Sequence, residues 1–201
     1  MFTEEEVTKF KEELLESYSS RQTRTLLDWK QTRGDGSRIY AVITGNNVVH
    51  SNLLPKIINA SKGVITETLK IEKFALLMGG SDIQAPHKDG RGKGKGVSVI
   101  FATDDNTYLC IFNPNSVKDK GNGKQSIEYR KVSIPKGKAI FFNSFLCLHG
   151  GFKYEEKYDS SSCLHGDRHL RIFARFTDPS TMNDFNDFNL FPDVHEYIEV
   201  G

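Results

Sequence analysis

A succession of short β-prone runs, preceded by helices and not alternating with them, is what most limits the folds open to this chain. Residues 65–78, 97–102, 108–112, 126–134, 139–142 and 170–176 are rich in Val, Ile, Leu, Phe and Tyr, and Gly, Asp, Asn and Lys separate them. A doubly wound parallel sheet needs a helix between successive strands. This order instead favours an α+β or mostly-β barrel or sandwich. Ahead of the strands, Thr3 and Glu6 have the spacing of a capping box, with Phe2 and Val7 placed as its hydrophobic staple. Val7, Phe10, Leu14, Leu15 and Tyr18 then recur at helical spacing, which predicts a helix packed along one face. Residues 31–37 read as a turn, 39–44 as a short strand, and 52–60 as a short helix started or interrupted near Pro55. The tail beyond Pro179 carries Phe185, Phe188, Leu190 and Phe191, a density of apolar side chains that predicts packing back onto the body.

No long repeat or linker divides the 201 residues, which suit one domain with a core large enough to fold without staples. Its expected parts are a helical support at about 1–62, a β core at about 63–178 and a packed tail at about 179–201. Lys plus Arg (27) nearly balance Asp plus Glu (26), so no basic field argues for nucleic acid. Three cysteines are too few and too odd for a disulfide framework and favour a reducing compartment. No basic region followed by an apolar run opens the sequence, and no apolar stretch reaches bilayer-spanning length. The expectation is a soluble, cytoplasmic protein.

Chemistry concentrates at His87-Lys-Asp89 and at His149-Gly-Gly. On a strand, residues i and i+2 face the same way, so His87 and Asp89 would present an imidazole and a carboxylate together. A third ligand from a neighbouring strand would complete a facial set with open positions, an arrangement suited to non-heme Fe(II) rather than to a closed structural site. The glycines after His149 permit close backbone approach or a positive φ.

Gln84-x-x-His87-x-Asp89, the strand leading through Phe141-Phe142 to His149-Gly-Gly, and a final strand bearing arginines resemble the Fe(II)- and 2-oxoglutarate-dependent oxygenases of the prolyl-hydroxylase and phytanoyl-hydroxylase type. The resemblance spans roughly residues 65 to 178. It implies a mostly-β chain with flanking helices around a double-stranded β-helix (jelly-roll, cupin-like) core. It also implies Fe(II) held by His87, Asp89 and His149, with 2-oxoglutarate as co-substrate, O2 as oxidant and ascorbate as an accessory reductant. The reaction so implied is hydroxylation, or demethylation through hydroxylation, with release of succinate and CO2. The primary substrate stays open among a protein side chain, a nucleobase and a small molecule.

The co-substrate's far carboxylate needs a cation, and a guanidinium gives planar two-point recognition. The family supplies it from the last core strand, here Arg168-His-Leu-Arg171-Ile-Phe-Ala-Arg175-Phe. Alternation puts Leu170, Ile172, Ala174 and Phe176 on one face and Arg171, Phe173 and Arg175 on the other. Arg171 is therefore the first candidate, Arg175 the second and Arg168 the third. The gap from His149 to Arg171 exceeds family habit, through a polar insertion at 153–167. Cys163-Leu-His165-Gly in that insertion echoes Cys147-Leu-His149-Gly, which makes His165 a rival distal ligand and allows a Cys147/His149/Cys163/His165 zinc site as another reading. The run Arg91-Gly-Lys-Gly-Lys-Gly96 is a solvated loop or a basic lid, and 121–126 fails the phosphate-loop spacing. Two further functions share the same residues: a cupin-like metalloenzyme without a keto acid, and a catalytically degenerate β-helix binding module.

Overall fold

Each of the β-prone runs forms a strand. The computed structural model describes residues 2–20, 26–27, 39–42, 53–78, 83–89, 95–153, 170–180, 188–189, 191 and 193–201. In chain order its first elements are α1 (Glu4–Ser20), β1 (Leu26–Leu27), β2 (Ile39–Val42), α2 (Leu54–Ala60), β3 (Lys70–Met78), β4 (His87–Lys88), β5 (Gly96–Ala102) and β6 (Thr107–Phe112). Then come β7 (Lys118–Asp119), β8 (Gln125–Ile134), β9 (Ala139–Phe142), β10 (His149–Gly151), β11 (Leu170–Thr177), β12 (Phe188–Asn189) and β13 (Val194–Glu199).

The strands form a six-stranded sheet in the order β1-β2-β3-β11-β5-β9 and a seven-stranded sheet in the order β12-β4-β10-β6-β8-β13, with β7 paired to β8. From β3 to β6, and again from β8 to β11, each strand lies in the sheet opposite its predecessor. That winding is a double-stranded β-helix. β13 joins β8 in parallel, while the other pairings are antiparallel.

Three apolar clusters follow from strand alternation. Between the sheets lie Ile100, Ala102 and Phe173 from one and Leu109 and Ile134 from the other. The alternate residues of the same strands, Val99, Phe101, Ile172, Ala174 and Phe176, face outward, where Val7 and Phe10 of α1 and Leu53 and Ile57 cover them. Outside the second sheet, Cys110, Phe112, Ile127 and Tyr129 are covered by Phe152 and Val194, with Phe191 and Tyr197 partly buried beside them. The two ends of the chain thus shield the two outer faces.

α1 starts as its sequence dictates. Thr3 N–H donates to Glu6 Oε2 (3.0 Å) and Glu6 N–H donates to Thr3 Oγ1 (3.2 Å), the reciprocal capping box. Phe2 stands edge-on to Phe10 and Phe101, with ring centroids 6.0 and 4.8 Å away, and pins the helix start to the sheet. In α2, Pro55 occupies the first turn, where a missing N–H costs nothing. β3 begins at Lys70 rather than at residue 65, because Ile65 N–H and Leu69 N–H are taken up in turns by Ser61 Oγ and the Thr66 carbonyl. Trp29, the 31–37 turn, residues 91–94 and Phe185 lie outside the described residues.

Candidate metal centre

β4 and β10 are adjacent, and their register sets His149 directly opposite His87. Both imidazoles emerge on the inner face, the face that Ile111 shares as the next register partner of His149. Asp89 follows β4 immediately, and its N–H donates to the Ser144 carbonyl (3.0 Å) in the turn between β9 and β10. The His87 and His149 Nε2 atoms lie 3.8 and 3.7 Å from Asp89 Oδ1. One ligand atom from each of the three residues falls within 4.8 Å of the others, and all three side chains are buried.

The protonation of this set is fixed by its neighbours. His87 Nδ1 lies 2.9 Å from the Ala85 carbonyl, and His149 Nδ1 lies 3.0 Å from the Cys147 carbonyl. A carbonyl oxygen only accepts, so each Nδ1 carries a hydrogen and donates it, and in the neutral ring the lone pair is then on Nε2. Burial and the neighbouring His87 hold the His149 pKa down to about 4, against the opposing pull of Asp89, so this ring is neutral at physiological pH. The Asp89 pKa is lowered although burial acts to raise it, and the Arg175 guanidinium and a hydrogen bond from Ser144 are among the groups that keep the carboxylate ionised. Its two oxygens divide their work. Oδ1 faces both imidazoles, whereas Oδ2 lies 3.3 Å from Ser98 Oγ and 3.6 Å from Arg175 Nη1. Ser98 Oγ is itself 2.6 Å from Ser144 Oγ, so the two hydroxyls form a short chain ending at the carboxylate.

Close approach of backbone explains the glycine after His149. A Cβ on Gly150 would stand 2.5 Å from the Gln84 carbonyl oxygen and 3.1 Å from Phe112. Gln84 clamps the next residue from both sides: its N–H donates to the Gly151 carbonyl (2.9 Å) and its Oε1 accepts from Gly151 N–H (3.0 Å). The Gln-x-x-His-x-Asp spacing therefore has a mechanical reading, because Gln84 locks β10 beside the strand that carries His87. Phe142 of β9 packs edge-on to His149, with ring centroids 4.9 Å apart.

The fold is that of 2-oxoglutarate-dependent oxygenases. Solved structures similar to it include HygX from Streptomyces hygroscopicus with nickel and 2-oxoglutarate bound, at 12% identity and a TM-score of 0.56, over 89% of this chain and 80% of HygX. The non-heme alpha-ketoglutarate-dependent carbocyclase SnoK from nogalamycin biosynthesis matches at 11% identity and a TM-score of 0.58, over 89% of this chain and 77% of SnoK. A prolyl-4-hydroxylase from Pseudomonas putida matches at 15% identity and a TM-score of 0.50, over 88% of each chain. No protein-family model and no curated protein matches the sequence.

Within the oxygenase fold, β11 lies between β3 and β5 and turns Arg171 and Arg175 inward, both buried. They differ in position along the strand. Arg175 is in register with Ser98 and reaches the Oδ2 atom and backbone carbonyl of Asp89, the latter at 3.5 Å. Arg171 is in register with Ala102, farther from the Asp89 end, and its charge is felt at His149. Arg168, His165 and Cys163 lie outside the described residues, as does the insertion from 154 onward. Cys147 precedes β10 in a turn, and burial raises its thiol pKa. Among the described residues, the potential metal-binding cluster is His87, Asp89 and His149.

Sequence reasoning missed the serine pair behind Asp89. A signal was present: Ser98 shares parity with Ile100 and Ala102, so it is a polar residue at an inward position of an apolar strand. Ser144 carried none, since its role depends on how the turn before β10 folds against Asp89.

Proposed function

We propose that this chain is an Fe(II)- and 2-oxoglutarate-dependent dioxygenase that hydroxylates its substrate, or demethylates it through hydroxylation. The observation that carries this reading is the convergence of two Nε2 lone pairs and one carboxylate oxygen on the inner face of a double-stranded β-helix. Two imidazoles and one carboxylate suit Fe(II), and as a facial set they leave positions for other ligands. His87, Asp89 and His149 would hold the metal, and Arg171 would take the far carboxylate of 2-oxoglutarate.

Bound there, Fe(II) with 2-oxoglutarate supplies dioxygen activation: the keto acid leaves as succinate and CO2, and one oxygen atom enters the substrate. The protein's own contribution is placement. The Nδ1–H bonds to Ala85 and Cys147 aim the imidazoles, and Ser98 with Arg175 turns Asp89 Oδ1 toward them. Arg175 lies at Asp89, whereas Arg171, on the same inward face, stands farther along β11 from that carboxylate and would take the dicarboxylate. Buried Ile100, Leu109 and Phe173 keep bulk water from the inner end of the barrel. A dianionic co-substrate also complements the two guanidiniums and a divalent metal.

Succinate production from 2-oxoglutarate by the Fe(II)-loaded protein tests the reading. The native protein should form succinate, His87→Ala and Asp89→Ala should not, and Arg171→Ala should raise the KM for 2-oxoglutarate by about 100-fold. Metal-loaded native protein that forms no succinate would contradict it.

A further inference from the structure

The inner face of the seven-stranded sheet has a graded exposure that shows where the barrel opens. Along β8, Ile134 is 2% exposed, Val132 is half-buried and Arg130 is exposed. Along β6, Leu109 is 1% exposed and Ile111 is half-buried. Both strands therefore run from a closed end to an open one. The register places His87, His149, Ile111 and Arg130 side by side in a single row that runs from the buried histidines to exposed Arg130.

Parity fixes which way Arg130 points. Ile127 and Tyr129 belong to the outer cluster, and Lys131 Nζ lies over the rings of Tyr108 and Phe152 on the same side. Ile134 belongs to the inner cluster, and no irregularity interrupts the pairing of β6 with β8. Arg130 is thus on the face that carries the metal-binding triad. Strands are spaced about 4.8 Å apart, so it stands roughly 10 Å across the sheet from His149. The acidic residue two positions before it at the same parity, Glu128, is engaged 3.6 Å from Lys118. Among the described residues, Arg130 has no ion-pair partner.

We infer that Arg130 anchors an oxyanion, a carboxylate or a phosphate, carried by the primary substrate. The inference deepens the proposed oxygenase reading and rests on it. An arginine at the lip offers planar two-point recognition of either group. Half-buried Ile111 and Phe142 line the way from it to the triad, so the segment between the anion and the reacting carbon is expected to be apolar. The substrate class is a small organic anion with a short apolar body.

Calorimetric titration of the full chain tests this, with Ni(II) and saturating 2-oxoglutarate bound first, and then hexanoate, hexyl phosphate or hexanol added. At least one anionic probe should bind about tenfold more tightly than hexanol. Whichever anion binds better identifies the group recognised. Arg130→Gln should remove that preference, and Arg130→Lys should retain part of it. Equal binding of anions and hexanol, no binding of either anion, or an unchanged preference in Arg130→Gln would overturn the assignment while leaving the oxygenase reading intact. Failure of 2-oxoglutarate to bind in the first titration would instead overturn both.

Discussion

At the scale of single residues, the site depends on which atom each side chain is compelled to present. Two backbone carbonyls fix Nε2 as the lone-pair atom of both histidines, and a serine chain with an arginine orients one oxygen of Asp89. The two inward arginines should consequently fail in different ways. Arg175→Ala should weaken Fe(II) or Ni(II) binding by about 10–100-fold, as expected for loss of a group that orients a ligand. Arg171→Ala should leave metal affinity near native and weaken 2-oxoglutarate. Separate titrations of metal and keto acid distinguish the two, and matching losses in both variants would contradict the division of roles. His149 also gives the apoprotein a pH signature. Its folded pKa, about 4, lies below the ordinary histidine value, so between roughly pH 6.5 and 4 the unfolded chain binds the proton that the folded chain refuses. Stability should fall as pH is lowered through that window, by about 1.4 kcal/mol per unit from this group. Denaturant melts of the apoprotein should show that slope, and His149→Gln should lack it.

At the scale of elements, much was legible where a run of side chains was long enough to carry a period. β5, β6, β8, β9 and β11 emerge close to their expected bounds, and the alternation in β11 correctly sorted Arg171 and Arg175 from Ile172, Ala174 and Phe176. β4, β10 and β12 have two or three residues each and exist only because neighbouring strands supply their partners, so no local pattern could announce them. The candidate metal ligands sit on or beside these short elements. His87 and Asp89 were legible as a spacing, but the pairing of His149 with His87 is a property of the assembled sheet. Gly150 marks where that pairing is tightest. Gly150→Ala should cost about 1–3 kcal/mol, since the added carbon meets the Gln84 carbonyl, and metal affinity should fall with it. Denaturant unfolding with a parallel metal titration checks both effects.

At the scale of the whole molecule, the winding of the chain between two sheets brings the site together. His87 and His149 come from the seven-stranded sheet, Ser98 and Arg175 from the six-stranded one, and Asp89 is bonded to the turn that links them. The sequence order of helices before strands anticipated the layering. It could not show that β13 returns in parallel to β8 or that β1 and β2 extend the six-stranded sheet, because both depend on contacts between distant segments. A ligand held between two sheets stabilises the fold by mass action. Ni(II) with 2-oxoglutarate at about 100 times its dissociation constant should add about 2.7 kcal/mol, a rise in Tm of roughly 5–10 °C that Asp89→Ala should lose. The central claim, that this triad holds iron together with the keto acid, is tested most directly by the anaerobic visible spectrum of the protein with Fe(II) and 2-oxoglutarate. A weak charge-transfer band should appear in the native protein and be absent in Asp89→Ala. No band in native protein that retains zinc tightly at the same site would contradict the account.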